Sequence, residues 1–218
     1  MTGPHPLVHV VDDDLSLREA ISSLLRSMGL AVQTYASAAE FLDRAPTDSA
    51  RPQCLVLDVR MPGMSGLELQ RALGTLQQRV PIVFITGHGD IPMTVRAMKA
   101  GAIEFLPKPF RDQDLLDAIE TSLAKSRATW REQEATGAIQ ARFDTLTPRE
   151  REVLALLQQG LRNKQIADRM GISEVTVKVH RHHIMDKMQA TSVPMLVGLL
   201  EPFRSQLLAT AQAHPNKP

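Results

Sequence analysis

The sequence predicts an α/β front half built on a five-stranded parallel sheet, followed by a smaller all-α back half. In the front half, five short apolar runs alternate with segments whose apolar residues recur at helical spacing. Behind it, the strand patterns stop and only helical patterns follow. Such alternation of strand and helix is typical of a parallel sheet with helices on both faces.

The predicted strands are residues 7–11, 31–36, 54–58, 81–86 and 102–106. The helical segments between them are SLREAISSLLRSMG, SAAEFLDRA, GLELQRALGTLQQ and IPMTVRAMKAG. Asp14 is the predicted N-cap of the first helix. Gly29 and Gly101 stand where two helices should stop, as expected for residues with a left-handed backbone.

Composition limits the class of protein. A chain of 218 residues suits two modest domains, and no apolar stretch reaches the ~18 residues that a membrane span needs. The N-terminus lacks the basic start and apolar core of a secretory signal. Cys54 is the single cysteine, which excludes an internal disulfide and fits a reducing compartment. These features predict a cytoplasmic protein without a membrane partner.

Charge is divided unevenly along the chain. Residues 1–122 hold 11 Lys and Arg against 15 Asp and Glu, and residues 123–143 hold 4 against 2. Residues 144–218 hold 10 against 7. An acidic front half joined to a basic back half suggests two domains with different partners.

The ends of four predicted strands carry the residues with the strongest chemical character. They are Asp12, Asp13, Asp58, Thr86 and Lys108. Because ligands of open parallel sheets bind beyond the carboxyl ends of the strands, these side chains predict a shared site. Carboxylates this close repel each other unless a divalent cation such as Mg²⁺ lies between them. Asp58 is then the predicted nucleophile for a phosphoryl group, whose oxygens Thr86 and Lys108 could hold.

Helix capping is an alternative explanation for the three consecutive aspartates at 12–14. Aspartates at strand–helix junctions are often N-caps, and for the triplet alone capping is the stronger interpretation. The positions of Asp58, Thr86 and Lys108 at three other strand ends favour the metal site.

Four motifs of the front half occur in the order VVDDD, LDVRMPGMSG, FITGHGD and AMKAGAIEFLPKPF. Over residues 5–123 they resemble the receiver domain of two-component response regulators, which has a flavodoxin-like (CheY-like) sheet. The resemblance implies that Asp58 accepts a phosphoryl group from a sensor histidine kinase. It also implies that Asp13 binds Mg²⁺ directly, supported by Asp12 and by the backbone carbonyl of Arg60.

The same resemblance gives roles to three further positions. Thr86 and Lys108 would contact the phosphoryl group. Phe105 occupies the position of an aromatic switch, which turns inward when Thr86 moves. A phenylalanine lacks the hydroxyl of the tyrosine that some members have there, so a readout through that hydroxyl is absent. The peptide bond between Lys108 and Pro109 is expected to be cis.

Residues 112–143 form a long charged segment that is mostly free of helix breakers up to Gly137. Its first apolar residues suit the last helix of the receiver. Residues 124–143 are predicted to form a helical linker, which could pair with its copy in a dimer. A solvated tether is the alternative, because the heptads are too few to predict a coiled coil.

The back half begins with a clear helix signal. The N-cap, first-turn proline and capping-box acid of its first helix are Thr147, Pro148 and Glu150. A short helix, NKQIADRM, stops at Gly171, and after a turn another helix runs from Ser173, its cap, to about Met188. Two short helices joined by a glycine-containing turn are the signature of a helix-turn-helix.

The last of these helices has two distinct sides when it is turned by ~100° per residue. The side expected to face the core holds Val177, Ile184 and Met188. The opposite side, which would meet base edges in the major groove, holds Val175, Lys178, Val179, His182 and Asp186. The residues placed to contact phosphates are Asn163, Lys164, Thr176 and Arg181.

Residues 144–208 contain LTPREREVL, NKQIA, GIS, TVKVH and KM, motifs that resemble the LuxR-type domain of NarL and FixJ regulators. The resemblance is strongest to the FixJ branch. It implies a transcription factor that forms a homodimer on phosphorylation, binds double-stranded promoter DNA and acts with RNA polymerase as an activator. It implies signalling without enzymatic turnover, with at most autocatalytic phosphotransfer and dephosphorylation.

Three other functions are weaker interpretations. A phosphatase with Asp58 as nucleophile would pair it with an acid two residues later, where this chain has Arg60. A ligand-gated regulator would need an apolar pocket in place of the charged rim. A metal site at HRHH (180–183) would have two histidines one helical turn apart, but no further ligand is obvious.

Overall fold

The structure, a computed structural model, describes residues 4–45, 51–76, 80–87 and 91–203. The chain divides into two compact units, Met1–Glu132 and Gln133–Pro218. Among the described residues, strands and helices alternate in the first unit, whereas the second unit contains helices alone. This is the division into an α/β half and an all-α half that the sequence predicts.

The strands of the first unit are β1 (Leu7–Val11), β2 (Ala31–Tyr35), β3 (Gln53–Asp58), β4 (Ile82–Thr86) and β5 (Glu104–Pro107). They form one parallel sheet in the order β2-β1-β3-β4-β5 within the described part of the chain. Every residue of the three central strands is buried. The predicted fold class and the five predicted strands are confirmed.

The fifth strand begins two residues later than predicted. The N–H of Ala102 donates to the carbonyl of Ala97 and so closes the preceding helix instead of entering the sheet. Gly101, with a φ of 93°, supplies the left-handed residue that this closure needs. Ladder pairing with the sheet starts at Glu104, which lies opposite Val83.

The helices of the first unit are α1 (Leu15–Ser27), α2 (Ala38–Arg44), α3 (Gly66–Thr75) and α4 (Ile91–Lys99), and α5 (Asp112–Asp144) begins in the first unit and ends in the second. The carboxylate of Asp14 caps α1, as predicted, by accepting from the N–H groups of Ser16 and Leu17. Successive residues of the sheet point to opposite faces, so Leu57 and Val56 belong to two different apolar clusters. Helices therefore cover both faces of the sheet.

The helix α5 joins two elements that the sequence analysis separated at residue 124. It continues through Gly137, because one glycine costs only about 1 kcal/mol relative to alanine and its neighbours are good helix formers. Leu123 is buried against the sheet. One turn further on, the hydroxyl of Ser126 accepts a 2.8 Å hydrogen bond from the N–H of Gln53. The first turn of the predicted linker is therefore attached to the start of β3.

The helices of the second unit are α6 (Pro148–Gln158), α7 (Asn163–Met170), α8 (Glu174–Lys187) and α9 (Val193–Leu199). Thr147 caps α6 in a capping box with Glu150, as predicted. Gly171 ends α7 with a φ of 65°, and Ser173 caps α8 by accepting from the N–H of Thr176. The predicted helix-turn-helix is thus formed by α7, the turn at Gly171 and α8.

The core of the second unit is apolar and contains residues from all four of these helices. Fully buried members are Leu154, Ile166, Val177, Ile184 and Leu196. The helical patterns of the sequence did not predict α9, although its first turn carries Ser192 as a cap and a proline. This core holds α8 by one side, which leaves its other side free to meet a partner.

Candidate functional site

Three carboxylates meet at the carboxyl edge of the sheet. Asp12 and Asp13 follow β1, and Asp58 ends β3, which pairs directly with β1. One oxygen from each carboxylate lies within 4.8 Å of the others. Asp12 and Asp58 are buried, whereas Asp13 is exposed. The structure thus brings together the three carboxylates that the sequence analysis placed at this edge of the sheet.

Lys108 is the positive charge at this edge. Its ammonium lies 2.7 Å from Asp12 Oδ2 and 3.4 Å from Asp58 Oδ1. The peptide bond to Pro109 is cis, as expected, and the backbone N–H of Lys108 donates to the carbonyl of Thr86 at 2.7 Å. The lysine is thus tied to the end of β4 and bonded more closely to Asp12 than to Asp58.

Asp12 has partners on all of its oxygens. Its Oδ1 accepts from the N–H of Asp14 at 2.8 Å, and its Oδ2 accepts from Lys108. Its backbone carbonyl accepts from Arg18 at 2.6 Å. These bonds orient Asp12 rigidly, which suits a group that supports a neighbouring ligand.

Asp58 is the incompletely satisfied carboxylate of the cluster. Its Oδ1 is buried and has no hydrogen-bond partner among the described residues. Burial raises the pKa of Asp58 above its usual value; Lys108 lowers it in part and the charge of Asp12 raises it again. A buried oxygen that has the 3.4 Å ion-pair contact with Lys108 but no hydrogen bond among the described residues, in an all-oxygen donor set, fits a hard cation such as Mg²⁺.

Thr86 and Phe105 lie on the two strands beyond Asp58. Asp58 is in register with Ile85, so Thr86 at the end of β4 is one residue further along the same edge. Phe105 is half-buried in β5, with its ring 6.1 Å from that of Phe84. The structure therefore places Thr86 and Phe105 on the two strands next to Asp58, with Thr86 buried and Phe105 half-buried.

Gly66, the first residue of α3 after the loop that follows Asp58, has a role that the sequence did not reveal. Arg60 is exposed in this loop. The loop closes where the N–H of Gly66 donates to the carbonyl of Val59 at 3.0 Å. A Cβ at Gly66 would lie 2.2 Å from the backbone oxygen of Asp58. Only glycine fits at this position, because it lets the start of α3 pack directly against the backbone of Asp58.

The two sides of α8 differ in burial in the way that the helical angle per residue predicts. Val177, Ile184 and Met188 are fully buried. The opposite side is exposed and holds Val175, Lys178, Val179, His182 and Asp186. The helix therefore offers one continuous surface of charged, imidazole and aliphatic side chains.

The four predicted phosphate contacts differ in their surroundings. Lys164 and Thr176 are exposed. Arg181 donates to the side-chain oxygen of Asn163, so these two residues already bind each other. A cleft of about 560 Å³ between the helices of the second unit is lined by Asn163, Lys164 and Arg181, together with Arg162. The bond between Arg181 and Asn163 connects α8 to the first turn of α7.

A partly buried ion pair connects α6 and α8. Glu150 is 3% exposed, and its Oε2 accepts from Lys187 at 2.7 Å and from the N–H of Thr147 at 2.8 Å. Burial alone would raise the pKa of Glu150, but these hydrogen bonds lower it overall. His183, from the HRHH segment, lies 3.8 Å from the same carboxylate. The sequence identified Glu150 as a capping acid and gave no signal for its pairing with Lys187.

The fold and these two sites define a signal-responsive transcription regulator, with a receiver that implies a kinase partner and a helix-turn-helix that implies DNA. Two family descriptions match the chain. "Response regulator receiver domain" matches residues 8–120, and "Bacterial regulatory proteins, luxR family" matches residues 144–200. The chain belongs to the response regulators that carry a luxR-type domain, as the NarL and FixJ regulators do.

Known proteins resemble the chain over most of its length. Nodulation protein W of Bradyrhizobium diazoefficiens is 49% identical over 195 residues, which cover 89% of this chain and 85% of that protein. Response regulator protein TmoT of Ectopseudomonas mendocina is 47% identical and covers 95% and 93%. The solved structure of the response regulator StyR is 54% identical, with a TM-score of 0.81 and coverage of 91% and 100%.

No helix among the described residues combines the length and the apolar character that crossing a bilayer requires.

Proposed function

We propose that Asp58 accepts a phosphoryl group from a sensor histidine kinase in the presence of Mg²⁺. The observation that carries the proposal is the convergence of Asp12, Asp13 and Asp58 within 4.8 Å, with Lys108 at their rim. Asp13 and Asp58 would bind the ion directly, with Asp12 in support and the backbone carbonyl of Arg60 as a further ligand. The bound ion would supply positive charge that neutralises phosphoryl oxygens.

The protein's own groups would carry out the transfer. An oxygen of Asp58 attacks the phosphorus as the bond to the kinase histidine breaks, which leaves an acyl phosphate on Asp58. Lys108 and the hydroxyl of Thr86 would hold the phosphoryl oxygens. Arg60 stands where a phosphatase of this type would need an acid, so we expect no turnover of external phosphates beyond autocatalytic phosphotransfer and dephosphorylation.

Phosphorylation would control DNA binding through a change of assembly. Movement of Thr86 towards the phosphoryl group would let Phe105 turn inward and alter the surface of the receiver, which promotes a homodimer. The dimer would place two α8 helices on half-sites of double-stranded promoter DNA. In this proposal Lys178, Val179 and His182 meet bases, while Asn163, Lys164, Thr176 and Arg181 meet phosphates.

The domain limits that belong to this proposal are 5–123 for the receiver, 124–143 for the helical linker and 144–208 for the DNA-binding domain. Residues 204–208 lie outside the described part of the chain. The proposal also includes activation of RNA polymerase at the promoter. It includes a cytoplasmic location, because a DNA-binding regulator with one cysteine suits that compartment.

Sedimentation velocity in Mg²⁺, with and without beryllofluoride as a phosphoryl mimic, tests the switch. The wild-type chain should shift from monomer to dimer on addition of beryllofluoride, whereas Asp58→Asn should remain a monomer. A constitutive dimer, or a monomer under both conditions, would contradict dimerisation as the switch.

Operator binding is the second readout. A gel shift with promoter DNA should show tighter binding by the beryllofluoride form than by the free form. Lys178→Ala should weaken specific binding by about 1–3 kcal/mol if it reads a base. An equal loss on random DNA would instead make Lys178 a phosphate contact.

A further inference from the structure

Arg18 lies on α1 and reaches back to the loop that follows β1. Its guanidinium donates a 2.6 Å hydrogen bond to the backbone carbonyl of Asp12. Arg18 is half-buried, and its own N–H donates to the carbonyl of Asp14, the cap of α1. This one residue is therefore bonded to both ends of the loop, at Asp12 where the strand ends and at Asp14 where the helix begins.

The carbonyl that Arg18 holds belongs to the peptide bond between Asp12 and Asp13. A peptide unit is planar, so holding its oxygen also restrains its nitrogen and the Cα of Asp13. The preceding peptide unit is held as well, because the N–H of Asp12 donates to the carbonyl of Tyr35 on β2 at 3.3 Å. Arg18 therefore restrains the part of the backbone that carries Asp13.

Asp13 depends on such a restraint more than the other two aspartates of the cluster. Asp12 and Asp58 are buried, whereas Asp13 is exposed and its carboxylate makes no hydrogen bond with the other described residues. An exposed side chain loses conformational entropy when it binds an ion. A backbone that is already held in place reduces this loss, and groups behind the ligands of a metal site commonly raise its affinity in this way.

The charge of Arg18 and its hydrogen bond have opposite effects on a cation. A guanidinium near a cation site repels the ion, so removal of the charge alone should tighten the binding of Mg²⁺. Removal of the hydrogen bond should weaken the binding, because Asp13 is then held less firmly. The sign of the change in affinity therefore shows which of the two effects is larger.

We propose that Arg18 is a positioning residue for the cation site, which holds the carbonyl of Asp12 and thereby orients the carboxylate of Asp13. This role rests on the proposed function, because it requires that the three carboxylates bind Mg²⁺. Arg18 itself contacts neither the ion nor the phosphoryl group. Loss of its guanidinium therefore weakens the binding of the ion and leaves all the ligands present.

Binding of Mg²⁺ without any phosphoryl donor tests this role. The thermal unfolding midpoint of the full chain is followed by circular dichroism as MgCl₂ is added, and its rise gives the dissociation constant. Arg18→Met removes the guanidinium but keeps an unbranched apolar stem. Its dissociation constant for Mg²⁺ should be about ten-fold higher than that of the wild type. The midpoint without Mg²⁺ reports separately any loss of stability, and Arg18→Gln repeats the test with another good helix former.

Arg26→Met is the matched control. Arg26 lies about two turns further along α1, and it lines the same cleft of about 580 Å³ as Arg18. It is exposed, whereas the bond to the carbonyl of Asp12 comes from Arg18. Arg26→Met therefore removes one positive charge from the same helix without removing that bond. Its affinity for Mg²⁺ should equal that of the wild type or be slightly higher.

The outcomes separate the role of Arg18 from the proposed function. If the wild type binds no Mg²⁺, or if Asp58→Asn binds it equally well, the proposed function fails and the role of Arg18 fails with it. If the wild type binds Mg²⁺ through Asp58 but Arg18→Met binds it as tightly or more tightly, Arg18 does not position Asp13 and the proposed function stands. An equal weakening in Arg26→Met would also overturn the role of Arg18.

Discussion

His9 makes the stability of the first unit depend on pH. Its imidazole lies in β1 and is fully buried, with Nδ1 3.1 Å from the hydroxyl of Tyr35 and Nε2 3.3 Å from the side-chain oxygen of Gln53. The ring of Phe41 packs edge-on against it at 5.4 Å. Burial lowers the pKa of His9 from 6.5 to about 4, and the charge of Arg51 adds to this lowering.

The size of the effect follows from the difference between folded and unfolded pKa values. Well above pH 6.5 the imidazole of His9 is neutral in both states and has no effect. As the pH falls below 6.5, the imidazole of His9 becomes protonated in the unfolded chain. In the folded chain it stays neutral until about pH 4. Stability is therefore lost with falling pH, by about 2 kcal/mol between about pH 7.5 and pH 5.

Replacing the imidazole tests this reasoning. The free energy of unfolding is measured in urea for the wild type and for His9→Gln at both pH values, followed through Trp130, the single tryptophan. The advantage of the wild type over the variant should shrink by about 2 kcal/mol at the lower pH. Tyr35→Phe is the control, because it removes a hydrogen bond but keeps the imidazole and its pH dependence. A difference between wild type and His9→Gln that is equal at both pH values would refute the argument.

Three more outcomes are expected from the sites. Gly66→Ala should destabilise the first unit by about 2 kcal/mol in urea unfolding, because the new Cβ would meet the backbone oxygen of Asp58 at 2.2 Å. Glu150→Gln should lower the unfolding free energy by about 1–2 kcal/mol, because it removes the buried negative charge that pairs with Lys187. Mg²⁺ at ten times its dissociation constant should add about 1.4 kcal/mol to the wild type in thermal unfolding, and Asp58→Asn should lose this gain.

Matched variants within the chain control these experiments. Gly74 lies in the same helix as Gly66 but has open space around it, so Gly74→Ala should stabilise by up to about 1 kcal/mol. Glu152 makes a surface pair with Arg149, so Glu152→Gln should change stability by less than about 1 kcal/mol. Equal effects at the two glycines, or at the two glutamates, would contradict the contacts described. A Mg²⁺ gain that persists in Asp58→Asn would move the ion away from Asp58.

The sequence revealed those features that depend on local pattern. Strand-end positions such as Asp58 follow from apolar runs that stop at a polar residue, and caps such as Ser173 follow from residue type and spacing. The two sides of α8 follow from a fixed angle per residue. That angle correctly predicted that Val177 is buried and that Val175 is exposed.

Features that depend on contacts between distant parts of the chain could not be predicted from the sequence. The preference of Lys108 for Asp12 over Asp58 joins residues that are 96 positions apart in the sequence, and the pair of Glu150 with Lys187 spans 37 positions. The hydrogen bond from the N–H of Gln53, at the start of β3, to the hydroxyl of Ser126 in α5 spans 73 positions, and no local pattern encodes it.

The central strands of the sheet are held more firmly than its edge strands. β3, which ends at Asp58, is bonded to a strand on either side and is wholly buried. β5, which carries Phe105, is bonded on one side alone within the described residues, and both of its end residues are exposed. Edges of this kind open at lower free energy than central strands. If Asp58 accepts a phosphoryl group as proposed, we expect the added charge to displace β5, two strands away, more readily than it bends β3 itself.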